Sequence, residues 1–264
     1  MRWRKTLVCW GVVLMAGCDN NPVDPVVGSF SFREGQTWMY TWEAELSDSA
    51  GTILNAESDS LEVRVASLND EVSGMQGLVR LEARSFFPGA GVSTADTERV
   101  WYRVTSSEMA EVAYQHPAVV PLVIMSASGR SVRAPRRSFF DPIGATAGES
   151  VADTIMIREE PRRALKFPLK KGTAWSSFTN VSWSDKEVVA MEEIRAVGQV
   201  FSTAKIKTTL AFDSSGIRWF DWVAADGLIK RTFDSDFLLT TEGDPEATGQ
   251  MVRHSEVLTL VGMN

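Results

Sequence analysis

The chain has 264 residues, with 27 Lys and Arg against 34 Asp and Glu, a formal net charge of −7 and 44% hydrophobic residues. An acidic balance argues against nucleic acid as a partner, and two cysteines, Cys9 and Cys18, are too few for a disulfide framework. The length suits one large β domain or two small ones, with nine Trp and 13 Phe to build a core that needs no covalent staple.

Arg2, Arg4 and Lys5 precede an apolar run from Leu7 to Met15, and Ala16-Gly17 stand directly before Cys18. The run is too short to span a bilayer, which takes about 20 apolar residues. A basic start, a short apolar stretch and small residues before a cysteine resemble a bacterial lipoprotein signal with its lipobox. The resemblance implies a signal peptide over residues 1–17, its removal, and acylation, palmitate included, of Cys18 as the new N-terminus. The usual Leu three places before the cysteine is replaced by Met15, with Leu14 one place earlier. Processing leaves 24 basic residues against 34 acidic ones, a net charge of −10, and consumes the sole remaining thiol. Residues 18–28, with Pro22 and Pro25 among small and polar residues, read as the lipidated cysteine and a flexible, extended tether. The expected location is the bacterial cell envelope, facing the periplasm or the cell surface. Asp19-Asn20 resembles an inner-membrane retention signal and leans the reading that way.

Residues 29–264 read as an antiparallel β domain. Trp38, Tyr40, Trp42, Ala44 and Leu46 alternate with polar residues, a period of two that puts an aromatic face inward. The same alternation recurs at Leu61, Val63 and Val65, at Val79, Leu81 and Ala83, and at Val100, Tyr102 and Val104. Four amphipathic strands with turn-rich gaps predict a meander rather than βαβ units. Glu111 to Tyr114 and Val119 to Met125 are further strand candidates, the second demoted to an edge or bulge by Pro121. Ser126 to Gly148 reads as a loop, and Thr154 to Glu159 as a short strand.

At Leu169-Lys170-Lys171-Gly172-Thr173-Ala174-Trp175 the pattern of Phe32-Arg33-Glu34-Gly35-Gln36-Thr37-Trp38 recurs: apolar, basic, charged, Gly, two residues, Trp. The pair points to two related halves, 29–126 and 164–264, around a basic loop segment 127–163; two unrelated strand lead-ins are the alternative. Strands follow within Glu187 to Val200, from Ala204 to Phe212 and from Ile217 to Val223, the last with aromatics on both faces. Asp226-Gly227 is a hairpin signal into Leu228 to Phe233, and Val252 to Val261 is the last strand.

Three motifs, Gly35-Gln36-Thr37-Trp38-Met39-Tyr40, Pro168 to Trp175, and Trp219-Phe220-Asp221-Trp222 leading to Gly227-Leu228-Ile229-Lys230, resemble a widespread family of uncharacterised bacterial envelope lipoproteins. That resemblance implies a curved, half-barrel-like antiparallel sheet similar to the periplasmic lipoprotein carriers and their outer-membrane receptor. It implies no known activity.

Catalytic patterns are missing. His116 and His254 have no second His or Cys at ligand spacing, and no nucleophile elbow or phosphate-cradling glycine loop occurs, so the expectation is no enzyme, no metal and no cofactor. Asp221, between aromatic residues, is the best single acid/base candidate, with an arginine pair as the alternative role. A curved sheet can leave an apolar concavity, and Trp38, Tyr40, Trp42, Trp219 and Trp222 are the expected lining for a lipid or other apolar ligand; filling the core is the alternative use of the same rings. A protein-interaction or scaffold role in the envelope is the competing function, and an unrecognised carboxylate hydrolase, which needs two carboxyl groups converging in a cleft, is the third. Between Arg130 and Lys171 ten basic residues stand against five acidic ones, and Arg130, Arg133, Arg136, Arg137, Arg162 and Arg163 form a candidate basic patch for anionic head groups or an acidic protein.

Overall fold

The computed structural model describes residues 26–86, 97–115, 122–125, 131–134, 139–140, 154–178, 183–210, 217–239 and 250–264. Fourteen strands are present among them: β1 (Thr37–Asp48), β2 (Ile53–Val72), β3 (Met75–Phe86), β4 (Thr97–Val104), β5 (Glu108–Gln115), β6 (Leu122–Met125), β7 (Ser131–Ala134), β8 (Met156–Lys166), β9 (Ala174–Phe178), β10 (Trp183–Ala196), β11 (Gln199–Leu210), β12 (Arg218–Ala224), β13 (Gly227–Leu239) and β14 (Gln250–Met263). No described residue is helical. β7 falls inside the stretch expected as a loop, where it pairs antiparallel with β6 in a separate two-stranded sheet. Ser131-Val132-Arg133-Ala134 is too short for its alternation to stand out from a loop.

The other twelve strands form one antiparallel sheet in the order β8-β5-β4-β3-β2-β1-β14-β13-β12-β11-β10-β9. The expected meander of the first four strands is present, and the first and last strands of the chain pair with each other. The sheet therefore wraps into a barrel with one seam, between β8 and β9, which are consecutive in sequence. Lysines stitch that seam: Lys166 Nζ donates to Ala174 O and Lys186 Nζ donates to Ala164 O, each at 3.3 Å. Pro161 lies in β8, an edge strand, where a missing N–H is tolerated.

The two Gly-x-x-Trp segments adopt one conformation. Gly35 and Gly172 have φ of 80° and 85°, a region open to glycine. Gly35 N donates to Val65 O and Val65 N to Gln36 O; Gly172 N donates to Val188 O and Val188 N to Thr173 O, all at 2.8 to 2.9 Å. Each glycine thus locks the following strand against its next neighbour, β2 for Gly35 and β10 for Gly172. Trp38 and Trp175, three residues on, are both buried.

Alternation puts one large core on the inner face, drawing Tyr40, Leu61, Val65, Val100, Tyr102, Val188, Ile206, Ile229, Leu258 and Leu260 from around the barrel. The polypeptide before β1 contributes too. Val27, within the segment expected as tether, is 4% exposed and exchanges two backbone hydrogen bonds with Leu169. Phe30 and Phe32 pack edge-on against Phe167 and Trp38. Register shifts in β2 accompany a β2–β3 hairpin whose Val72 and Leu78 bury with Trp101, Val112 and Ala113 in a second cluster.

Glu82 is surrounded by Arg64 at 2.8 Å, Arg99 at 3.3 Å and Arg80 at 3.6 Å. Burial alone would raise its carboxyl pKa, but the Arg64 hydrogen bond and the three guanidinium charges outweigh burial and hold it below the ordinary glutamate value. A folded-state value below the unfolded one gives stability that is fully present above the unfolded value, near 4.3, and lost as pH falls through the folded value. The urea midpoint should therefore hold steady from neutral pH down to about pH 5 and fall at lower pH, and E82Q should flatten part of that fall. An acid limb identical in E82Q would refute the assignment.

Candidate functional site

The polar groups that turn inward fall into two ion clusters, one on β12 and β13 and one on β5 and β8. Tyr40 of β1 is 2% exposed and donates from its hydroxyl to Leu228 O at 2.8 Å. Burial drives its pKa far above the tyrosine range, with Arg231 lowering and Asp221 raising it by less, so it remains a donor. Asp221 of β12 lies opposite Arg231 of β13 in register and pairs with it, Nε to Oδ1 at 2.6 Å, while accepting Trp219 Nε1–H at 3.1 Å. On β5, Glu111 is 1% exposed. It accepts Arg158 Nε–H at 2.7 Å and a short bond from Arg162 of β8. Arg158 also covers the ring of Tyr114, 4.4 Å from its centroid.

Phe139 and Phe140, which lie between β7 and β8, join the two ion clusters. Phe139 N donates to Glu98 of β4 at 2.9 Å, and Phe139 O accepts from Arg231 Nη1 at 2.6 Å. Phe140 O accepts from Arg162 at 3.5 Å. The Phe139 ring lies 5.6 Å from Tyr40 and 5.0 Å from Phe140, which faces Tyr102 at 6.5 Å. This dipeptide braces β4, β8 and β13 from within. Asp221 and Glu111 each bind an arginine that also holds a carbonyl of the dipeptide, Arg231 on Phe139 and Arg162 on Phe140. Asp221 takes the arginine-paired role left open by the sequence.

The five aromatics do not share one surface. Trp38, Tyr40 and Trp42 sit on the inner face of β1, Trp38 with its Nε1–H given to Asp226 O at 2.6 Å and Trp42 half-buried against the core. Trp219 is buried with Phe233. Trp222 lies on the opposite face of β12, bonded to Glu192 at 2.7 Å with Lys205 and Lys230 over its ring at 4.8 and 5.2 Å. An odd spacing along a strand sends Trp219 and Trp222 to opposite sides.

The proposed basic patch is divided as well. Arg162 is 8% exposed and bound to Glu111, whereas Arg163 is exposed and pairs with Glu108 at 2.6 Å. Arg130, Arg136 and Arg137 lie outside the described residues, as does Cys18, and Arg133 is placed only by its backbone in β7. Phe139, Phe140, Glu98, Glu111, Arg158 and Arg231 were not singled out from sequence. Glu111 carries the one readable signal, a lone carboxylate between Ala110 and Val112.

No protein-family model matches the chain. A search of curated proteins gives no match either. Among solved structures, a "putative lipoprotein" from Parabacteroides distasonis ATCC 8503 is similar at 10% identity, with a TM-score of 0.35 over 89% of this chain and 97% of that one. At that TM-score the likeness assigns nothing to this chain, and the fold stands on its own geometry. Elsewhere among the described residues, a cleft of about 360 Å³ opens over β9 to β11, lined by Trp175, Asp185, Lys186, Glu187 and Lys207 among others. It holds both signs of charge and opens widely to solvent, and its Lys186 Nζ lies 5.7 Å from the centre of the Trp219 ring. No group of three His, Cys, Asp or Glu converges among the described residues.

Proposed function

We propose that this chain is an envelope lipoprotein, acylated at Cys18 and facing the periplasm or the cell surface, whose barrel serves as a non-catalytic interaction module. Asp19 favours the inner membrane. The anchor rests on the basic, apolar and small residues ahead of Cys18. The interaction role rests on one structural observation: the middle of the barrel is crossed by the Phe139–Phe140 brace, with a guanidinium on each carbonyl. Trp38, Tyr40 and Trp219 are committed to structural hydrogen bonds. Recognition of a protein partner then falls to the outer surface.

The same dipeptide favours a second reading, in which a lipid or other apolar ligand takes its place. Two rings against Tyr40 and Tyr102 and two carbonyls on arginines occupy the barrel much as an aromatic or acyl ligand with a carbonyl would. Native mass spectrometry of the protein purified from its host membrane separates the two. The interaction reading predicts the mass of the acylated chain without a bound lipid. A stoichiometric lipid adduct that survives removal of detergent would replace it with the ligand reading.

A further inference from the structure

We propose that the tether end of the barrel lies against the surface of an anionic lipid bilayer, with Arg33, Lys170 and Lys171 at the head groups. This rests on acylation at Cys18. The antiparallel order places the start of β1 at the same end as the β2–β3, β4–β5, β8–β9, β10–β11 and β12–β13 connections. These are short: Ser73-Gly74, Thr105 to Ser107, 167–173, Val197-Gly198 and Ala225-Asp226. The two ten-residue connections, 87–96 and 240–249, join at the other end.

Val27 is pinned to Leu169 by two backbone hydrogen bonds, so the chain leaves the barrel at the β8–β9 connection. Only residues 19–25 separate Cys18 from Val26, and a fully extended residue spans at most about 3.6 Å. An acyl group at Cys18 therefore holds this end within roughly 30 Å of the bilayer.

Charge selects the same face. Exposed Lys170 and Lys171 follow Leu169 directly, exposed Arg33 lies in the equivalent turn before β1, and Lys166 ends β8, with Glu34 the acidic neighbour in these two turns. Exposed Glu71 and Asp226 lie at this end too, so the attraction rests on Lys170 and Lys171 with Arg33 and Lys166, set against a mature chain that is net −10 as a whole. Exposed apolar side chains are divided between the two ends, with Val26, Val197, Val200 and Val261 at this one and Ile53, Ile155, Ile157 and Met251 at the other. Aliphatic groups beside cations at a lipid anchor suit the boundary between head groups and acyl chains.

The acylated protein offers a clean test, because an acylated Cys18 leaves it no free thiol. S106C in the β4–β5 turn and A50C in the β1–β2 turn put one fluorophore at each end. The proteins are reconstituted in phosphatidylglycerol-containing vesicles that carry a head-group quencher. The label at position 106 should lose most of its emission and the label at 50 should keep it. Charge reversal by K170E with K171E, or high salt, should restore emission at 106 while the protein stays on the vesicles. Equal emission at both positions, or quenching at 106 that ignores charge reversal, overturns the docking. Intact mass of the same sample reports acylation: a free Cys18 thiol removes the lipoprotein reading itself, whereas an acylated chain with position 106 unquenched removes only the docking.

Discussion

Glu111→Ala is expected to destabilise the folded protein by about 3–5 kcal/mol, since truncating one partner of a buried ion pair leaves the other charge uncompensated. Here two cations are stranded: Arg158 and Arg162, with side chains 9% and 8% exposed, both bind the Glu111 carboxylate. Their release also loosens Phe140, whose carbonyl Arg162 holds. Converting the whole cluster to apolar residues, Glu111→Leu with Arg158→Met and Arg162→Met, should recover most of the loss, because a buried ion cluster replaced as a unit is close to neutral. Urea denaturation of both variants checks this. A loss below about 1 kcal/mol for the single variant would mean that water reaches the cluster.

Gly227→Ala is the second large effect. Gly227 has φ of 123°, which L side chains rarely adopt, and an added Cβ would lie 3.1 Å from Trp38 Nε1 and 3.3 Å from Cε2. The indole would have to move from Asp226 O, where it donates at 2.6 Å. Backbone strain of about 1–3 kcal/mol and a buried hydrogen bond of about 1–2 kcal/mol together predict a loss near 3 kcal/mol. Gly28→Ala, with nothing within 4 Å of the added atom, is the matched control and should be nearly neutral. Equal stability of the two variants would contradict the close packing of the β12–β13 turn on Trp38.

The strands were legible where one face is buried and the other wet. Trp38, Tyr40 and Trp42 gave β1 by alternation, and Asp226-Gly227 gave its hairpin, because both signals are local. Closure of the barrel was not legible: nothing in Val252 to Val261 names Trp42 and Tyr40 as partners of Leu258 and Leu260, a pairing set by the whole sheet. The five aromatics were legible as buried or half-buried rings but not as one site, although the odd spacing of Trp219 and Trp222 already separates them. The Phe139–Phe140 brace was hidden because its partners, Glu98, Arg162 and Arg231, come from three distant strands. Asp221 showed its charge in the sequence and its partner only in the register of β12 with β13.

The proposed anchor at Cys18 carries the functional reading, and the mass of the N-terminal peptide of the protein isolated from its host membrane tests it directly. The account predicts a chain that lacks residues 1–17 and begins at a Cys18 bearing acyl chains. A chain that begins elsewhere, or a Cys18 with a free thiol, would contradict it.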